Sequence, residues 1–518
     1  MPSRGSHVER DMRGGRPGWY VESTGRFSSE WVSSEHSTIK NCMKLHLTIW
    51  AIMVLAYLMI GCVPKGQNEP DVAGKFPASW SNRLDSRAEM NSTGWVQGLG
   101  DDVLADLIKE AWTKNPNLSA TSRRVEIARE ESIMAGANRL PEAAIGISGS
   151  KTKRNLIGFN FPNSSSSFTS ESYGLNLNLS WELDLWGRLR DSRLAAANEW
   201  RASLADYHAA RLSLAGQIAK SWFSAIEAGL QQALAEETEK TYARNASYVA
   251  KRFDRGLATA LDHNLAQASL ASSQAIVARW KRQADLANRT LQTLLGRYPD
   301  GNATIPSKLP SPDNPPFVST PVQTLENRPD LLAARLRLDA AGLQVSVARK
   351  SLLPALSLSG GPGSRSREFE DLLDNQFRIW NLTGNLAQPI FQGGRLRANV
   401  RRSEAALQGL VDNYKAAALQ AFREAETALA AETTLQKEEA DLLKATQAAK
   451  TAAALSWERY QRGLESIFTT LESSRRAFEA ESRSLSLQRD RLLNRVDLHL
   501  ALGEDALSKE NLKEEKQK

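Results

Sequence analysis

Two hydrophobic periods alternate along this chain, and each occurs twice. Between Tyr173 and Leu185 the apolar residues Tyr173, Leu175, Leu177, Leu179, Trp181, Leu183 and Leu185 alternate with Gly174, Asn176, Asn178, Ser180, Glu182 and Asp184. Period two puts the apolar side chains on one face and the polar ones on the other, which predicts a strand. A soluble sheet could show the same alternation. An uncharged apolar face backed by a polar one matches a membrane barrel strand with a watery interior. Trp181 and Trp186 suit an aromatic girdle. A partner strand is predicted around Ile145 to Ser150, with a polar loop over 151–172 that contains Asn163 and the serines 164–167. In the second half, Leu356 and Leu358 precede Trp380, Leu382 and Leu386, which alternate with Asn381, Thr383, Asn385 and Ala387; Phe377 and Ile379 break the phase. Residues 360–368 are predicted as a loop. No helix opens directly after it, so a phosphate cradle is excluded.

The other period is helical. Val103, Leu104, Leu107, Ile108, Ala111 and Trp112 fall at helical spacing in a predicted helix over 101–140. Pro141 and Pro354 end their helices, because proline disfavours the α region in the residue before it. From Gly187 to Arg255 there is no proline, and the Ala/Leu/Glu/Arg-rich stretch predicts a helix of about 100 Å at ~1.5 Å per residue. Residues 394–462 have the same length and character. Helices this long are stable only when packed side by side as coiled coils. The alanines at 195–197, 416–418 and 452–454 permit close approach.

These parallels are one tandem repeat. Asn115-Pro116-Asn117-Leu118 recurs as Arg328-Pro329-Asp330-Leu331 and Leu140-Pro141 as Leu353-Pro354, both 213 residues on. Gly187-Arg188-Leu189-Arg190 recurs as Gly394-Arg395-Leu396-Arg397 at 207. Phe253-Asp254-Arg255-Gly256-Leu257 recurs as Tyr460-Gln461-Arg462-Gly463-Leu464, and Leu295-Gly296 as Leu502-Gly503, again at 207. Each repeat reads helix, strand, loop, strand, long helix, turn, helix.

An address precedes the repeats. Met43-Lys44 opens the apolar run Leu45 to Ile60, which ends at Gly61-Cys62. A short basic start, an apolar run too short for the roughly 20 residues of a spanning helix, and a small residue before cysteine form a bacterial lipoprotein signal. Cys62 becomes the new N-terminus, lipidated on its sulfur and its amine, and Val63 after it fits outer-membrane sorting. Residues 1–42 are expected to be a spurious or disordered extension, 43–61 the signal peptide and 62–100 the lipidated N-terminal segment. The repeats then span 101–297 and 321–503, with a Pro-rich linker at 298–320 and a charged, loose tail at 504–518.

Charge changes little in this picture. The net charge of +7 could suggest nucleic acid. The basic residues, however, are interleaved with acidic ones, as around Glu424, Glu426, Glu432, Lys437, Glu438 and Glu439, which reads as a solvated helix face. Two cysteines, Cys42 and Cys62, build no disulfide framework or zinc site, and the six histidines show no paired spacing; His263 is expected to be exposed. No nucleophile–base or metal constellation is visible, so an enzyme is not expected, nor any cofactor beyond the lipid on Cys62.

The chain resembles the outer-membrane factor family, the TolC-like and OprM-like (NodT-type) efflux lipoproteins. The motifs that carry the likeness are Trp181-Glu182-Leu183-Asp184-Leu185-Trp186-Gly187-Arg188-Leu189-Arg190, Asn327-Arg328-Pro329-Asp330-Leu331 and Pro389-Ile390-Phe391-Gln392-Gly393-Gly394-Arg395. It covers roughly Gly98 to Gly503. The resemblance implies a mainly α fold with membrane β: a homotrimeric twelve-stranded β-barrel, continued by a twelve-helix α-barrel with an equatorial region. It also implies a place in the bacterial outer membrane with the tunnel in the periplasm. The partners implied are outer-membrane lipid, a periplasmic membrane-fusion adaptor and an inner-membrane transporter, commonly of the proton-driven resistance-nodulation-division class.

Within that family likeness the turns Arg255-Gly256-Leu257 and Arg462-Gly463-Leu464 are both helix reversals and expected adaptor contacts. Phe468 and Glu472 lie one helical turn apart on one face, where related ducts place an apolar and an acidic ring in the periplasmic mouth. Three copies of Phe468 could shut the passage, and three of Glu472 would raise one another's pKa. Phe468 could instead be coiled-coil packing, and Glu472 a solvated partner of Arg475 or Arg476. Asp262 is the first-repeat counterpart by position. Glu465 stands where some relatives place a basic residue. The expected function is passive export of small molecules in a tripartite efflux system. The alternatives are a type I protein-secretion exit channel and a soluble periplasmic coiled-coil scaffold.

Overall fold

Aspartate 101 starts the first helix, α1 (Asp102–Lys114), by accepting the backbone N–H groups of Val103 and Leu104, which no earlier turn can satisfy. The structure, a computed structural model, describes residues 77, 79–82, 94–155, 167–311 and 318–507. These all belong to one compact unit, residues 71–518. Cys62 and the signal 43–61 lie outside the described residues.

The single helix expected over 101–140 is two. Pro116 lacks the N–H that would continue α1, so it serves as the first residue of α2 (Pro116–Ala137), and the Asn115 side chain accepts from Asn117 and Leu118. The second repeat divides at the matching place, between α5 (Pro321–Asn327) and α6 (Pro329–Lys350). Asn115 Nδ2 donates to the Leu294 carbonyl at 2.8 Å, and Arg328 Nη1 to the Ala501 carbonyl at 3.2 Å. Two unlike side chains therefore do the same work. Each fastens the start of its repeat to the last turn of that repeat's closing helix.

Four antiparallel strands, β1 (Glu142–Asn155), β2 (Ser167–Leu183), β3 (Ala355–Ser366) and β4 (Arg378–Ala387), form one sheet in the order β1-β2-β3-β4. Ile145 pairs with Leu177, Leu179 with both Ala143 and Gly360, Trp181 with Leu358, and Leu356 with both Leu183 and Leu386. Residues directly opposite in an antiparallel pair project to the same side. One face is therefore apolar over the part of the sheet nearest the helices, with Trp181 and Trp380 among its leucines, and turns polar toward the far end, where Lys151 pairs with Glu171 and Ser364 stands opposite Arg378. The other face carries Asn176, Asn178, Ser180, Ser359, Asn381 and Thr383. The loop expected over 360–368 is corrected: residues 360–366 belong to β3, because only glycine lets the neighbouring backbones come so close. A Cβ on Gly361 would lie 1.8 Å from the Leu177 oxygen, and one on Gly360 2.2 Å from the Asn381 oxygen.

From the sheet the chain enters α3 (Arg188–Asp254) and α7 (Arg395–Gln461), each 67 residues long, about 100 Å at ~1.5 Å per residue. Each returns through a shorter helix, α4 (Ala260–Leu294) or α8 (Ile467–Leu502). The motif at 181–190 is the joint between sheet and helix. Trp181 and Trp186 donate their indole N–H groups to the Arg139 and Pro354 carbonyls at 2.9 and 2.7 Å. The Asp184 carboxylate caps α3 by accepting from Leu189 and Arg190, and Glu182 pairs with Arg188 at 2.7 Å.

The main core lies where α1, α3, α4 and α8 meet, around Leu104, Ile108, Ile218, Phe223, Leu291 and Val496. Leu309 from the Pro-rich linker and Ala506 and Leu507 from the expected loose tail are buried in it. Trp95 and Val96 donate to the Asp505 and Ala506 carbonyls. Residues 504–507 are thus held, which corrects the expected start of the tail. No described helix is long and apolar enough to cross a membrane.

Candidate functional site

The two far ends of the helical hairpins are built alike. At the first, Gly256 has φ +70°, and Leu257 donates to the Arg252 carbonyl at 2.8 Å. At the second, Gly463 has φ +76°, and Leu464 donates to the Arg459 carbonyl at 2.9 Å. This six-residue closure needs a left-handed residue, which glycine supplies at little cost. The returning helices are capped by Thr259, in a reciprocal box with Asp262, and by Ser466, which accepts from Thr469. Asp262 is therefore occupied at a helix start. Each end presents an exposed leucine beside an exposed arginine: Leu257 (63% exposed) with Arg255, and Leu464 (61%) with Arg462. Arg462 also pairs with Glu458 on its own helix.

One turn into α8, Ile467, Thr470 and Leu471 are buried, the two apolar residues in a cluster with Tyr242, Val249 and Tyr460. That spacing leaves Phe468 on the opposite face, 66% exposed, and Glu472 one turn further on. The Glu472 carboxylate accepts from Arg475 Nη2 at 2.8 Å and from Arg476 Nε at 2.7 Å. Those guanidinium hydrogen bonds, Arg475 first, hold its pKa down from 4.5 to about 2. Within one protomer the shift is thus opposite to the rise expected from a ring of like carboxylates. Arg475 is raised in turn by Glu472 and then Glu479. Glu465 stands 3.8 Å from Arg459.

Sequence reasoning missed what ties the hairpins together near this end. The Arg252 guanidinium on α3 lies 5.2 Å from the centre of the Tyr460 ring on α7 and donates to the Tyr460 carbonyl at 3.3 Å. Tyr248 sits edge-on to Trp457 and Tyr460, at 5.5 and 6.2 Å. The available signal was spacing: Tyr248 and Arg252 are one turn apart on α3, as Trp457 and Tyr460 are on α7. His263 stacks on Phe253 at 5.2 Å. No group of His, Cys, Asp or Glu among the described residues could hold a metal ion.

The acidic run on α7, read as a solvated face, is only partly so. Glu432 is 2% exposed and meets Arg495, itself buried, at 2.8 Å. Asn494 donates to its other oxygen at 3.2 Å, and Arg491 bridges to Glu439 at 2.6 Å. Glu424 accepts from Arg328, and Glu426 accepts the backbone N–H groups of Ser81 and Asn82. On the other flank of α8, buried Glu227 and Gln231 of α3 meet Ser482, Ser486 and Arg489. Helix α8 is therefore keyed by charge and hydrogen bonds on two sides.

Comparison with known proteins agrees with this architecture. The family model described as "outer membrane efflux protein" matches twice, over residues 107–297 and 320–504. The chain is 31% identical to the pyoverdine export outer membrane protein OpmQ of Pseudomonas putida, over 82% of this chain and 91% of that one. It is also 31% identical to the outer membrane protein OprJ of Pseudomonas aeruginosa, over 87% and 94%. Among solved structures, the open state of the MtrE outer membrane channel of Neisseria gonorrhoeae superposes with a TM-score of 0.72. There the identity is 28%, over 85% of this chain and 97% of that one.

Proposed function

The chain belongs to the outer membrane efflux protein family and is the outer-membrane channel component of an efflux system; from that premise we propose that three copies make one passive duct. The duct takes small molecules from an inner-membrane pump of the resistance-nodulation-division class through a periplasmic adaptor, and releases them outside without any catalytic step. The observation that carries this reading is the sheet: one face with an apolar band over the part nearest the helices, the other amide- and hydroxyl-lined, and a strand edge without a partner among the described residues at each side. An unpaired edge in hydrocarbon costs several kcal/mol for each orphaned group. Four strands are also too few to enclose a useful bore. Copies of the chain are the direct remedy. Helix α7 supports the same reading, because Leu443 and Leu455, with Ala448 and Ala452 between them, stand exposed on the single protomer.

The remaining roles follow from position. Arg255-Gly256-Leu257 and Arg462-Gly463-Leu464, at the far ends of both hairpins, are the adaptor contacts, each offering an apolar side chain and a cation. Phe468 and Glu472, on one exposed face beside the second end, line the periplasmic mouth. The lipid on Cys62 anchors the N-terminal segment to the outer membrane. The barrel lining is wet and largely uncharged, so discrimination among cargoes belongs to the pump.

The test is dye accumulation in cells stripped of their own outer-membrane channels and supplied with adaptor, pump and this chain. Accumulation is expected to fall only when all three are present, and to recover with Leu257→Asp combined with Leu464→Asp. Accumulation that ignores this chain, while a polypeptide substrate now leaves the cell, would favour the protein-secretion reading instead.

A further inference from the structure

We propose that Ile390 and Phe391 of one copy seat against Leu140, Met134 and Ile127 of the next, so that two unlike patches at opposite edges of the protomer form one directional interface. This rests on the multi-copy duct above and names where its copies lock below the barrel. The strand order fixes the geometry. β1 leaves the helices and β4 returns to them, so a closed antiparallel barrel sets β4 of one copy beside β1 of its neighbour. Ala387, the last residue of β4, and Glu142, the first of β1, then both lie at the end of the barrel nearest the helices.

Just past Ala387 the chain carries Ile390 and Phe391, 94% and 88% exposed. Just before Glu142 it carries Leu140, 68% exposed, and on α2 Met134, 61% exposed. Ile127 is two turns from Met134 on the same side of the helix and is also exposed. Exposed apolar side chains of this size beside an open strand edge suit an interaction site, with Glu130 and Glu131 set between Ile127 and Met134 on the same side of the helix. Because the two patches differ and sit at opposite edges, the contact is head-to-tail, and a closing rotation makes a ring.

Charge continues the match. Arg397, Arg401 and Arg402, in the first two turns of α7, are exposed and make no ion pair or side-chain hydrogen bond among the described residues. Glu130 and Glu131, in the last turns of α2, are exposed in the same way. Both sets lie a few turns below the sheet, the arginines on the Ile390 edge and the glutamates on the Leu140 edge. A second copy brings opposite signs together, whereas anionic lipid headgroups would answer the arginines and leave the glutamates unmatched.

The test is cross-linking in outer membranes. The doubly substituted chain, Leu140→Cys with Ile390→Cys, is treated with a short bis-maleimide and run on a denaturing gel. Covalent dimers and trimers are expected, with none from either single variant or from Leu140→Cys paired with Leu257→Cys. Native trimers that give no covalent ladder would overturn the proposal and assign both patches to the bilayer surface. Lone monomers on native sizing would instead sink the duct reading itself. Independently, Arg401→Glu with Arg402→Glu is expected to lower the temperature at which trimers dissociate in detergent. Adding Glu130→Arg and Glu131→Arg is expected to restore it, and failure to restore would contradict the charge match.

Discussion

Phe468 and Glu472 were legible as a pair because one helical turn separates them, and Arg475 and Arg476 were legible as candidate partners of Glu472, a pairing the structure shows. Arg475 and Arg476 come after Glu472 and reach back to it, so within the protomer its carboxyl is held near 2. A depressed carboxyl contributes stability that is complete above its ordinary value of 4.5 and is lost as pH falls through the depressed one. The charge of Glu472 is therefore expected to stay constant from pH 7 down to about 4. Reversal potentials of reconstituted channels should be flat over that span; a titration between pH 5 and 7 would show that neighbouring carboxylates dominate the arginines. Phe468, 66% exposed in the protomer, is free to meet its counterparts in other copies. Phe468→Ala is expected to shorten the closed times of single channels, and unchanged conductance and closed time would count against its role as a gate.

At the scale of elements, period and length carried the reading, and local composition misled it. Both 67-residue helices and both glycine turns follow from the absence of proline and from a repeat spacing that is kept throughout. The segment Gly360-Gly361-Pro362-Gly363 reads as a loop on composition alone. It becomes a strand because β2 and β4 press on it from both sides, a tertiary fact with no local signature. The helix break at Pro116 is legible in Asn115-Pro116 as a cap followed by a first-turn proline, a signal that hydrophobic spacing alone does not carry. The buried pair of Glu432 and Arg495 was hidden for a different reason: a charge on a long helix is ordinarily solvated, and only the packing of α8 against α7 excludes water from it. Removing one member of a buried pair typically costs about 3–5 kcal/mol, while replacing both by apolar residues costs much less. Glu432→Gln is thus expected to lower the thermal midpoint of the detergent-solubilised protein by several degrees, with Glu432→Met plus Arg495→Met recovering most of the loss. Equal midpoints for the wild type and Glu432→Gln would mean that water reaches this layer.

For the whole molecule, two separate devices are proposed to hold the chain at the membrane: a lipid on Cys62 and the apolar face of the sheet. They are separable. Cys62→Ser is expected to abolish palmitate labelling yet leave the protein extractable from outer membranes only with detergent. Release by salt alone would mean that the sheet is not embedded. The repeat explains why one protomer supplies two hairpins to each layer, and why the sheet must be completed by other copies, since a sheet with lipid on one face and water on the other cannot end in the bilayer. The most direct test is the native mass of the detergent-extracted protein. A single species of three polypeptides is expected; a stable single polypeptide whose spectrum nonetheless shows folded sheet would contradict the account.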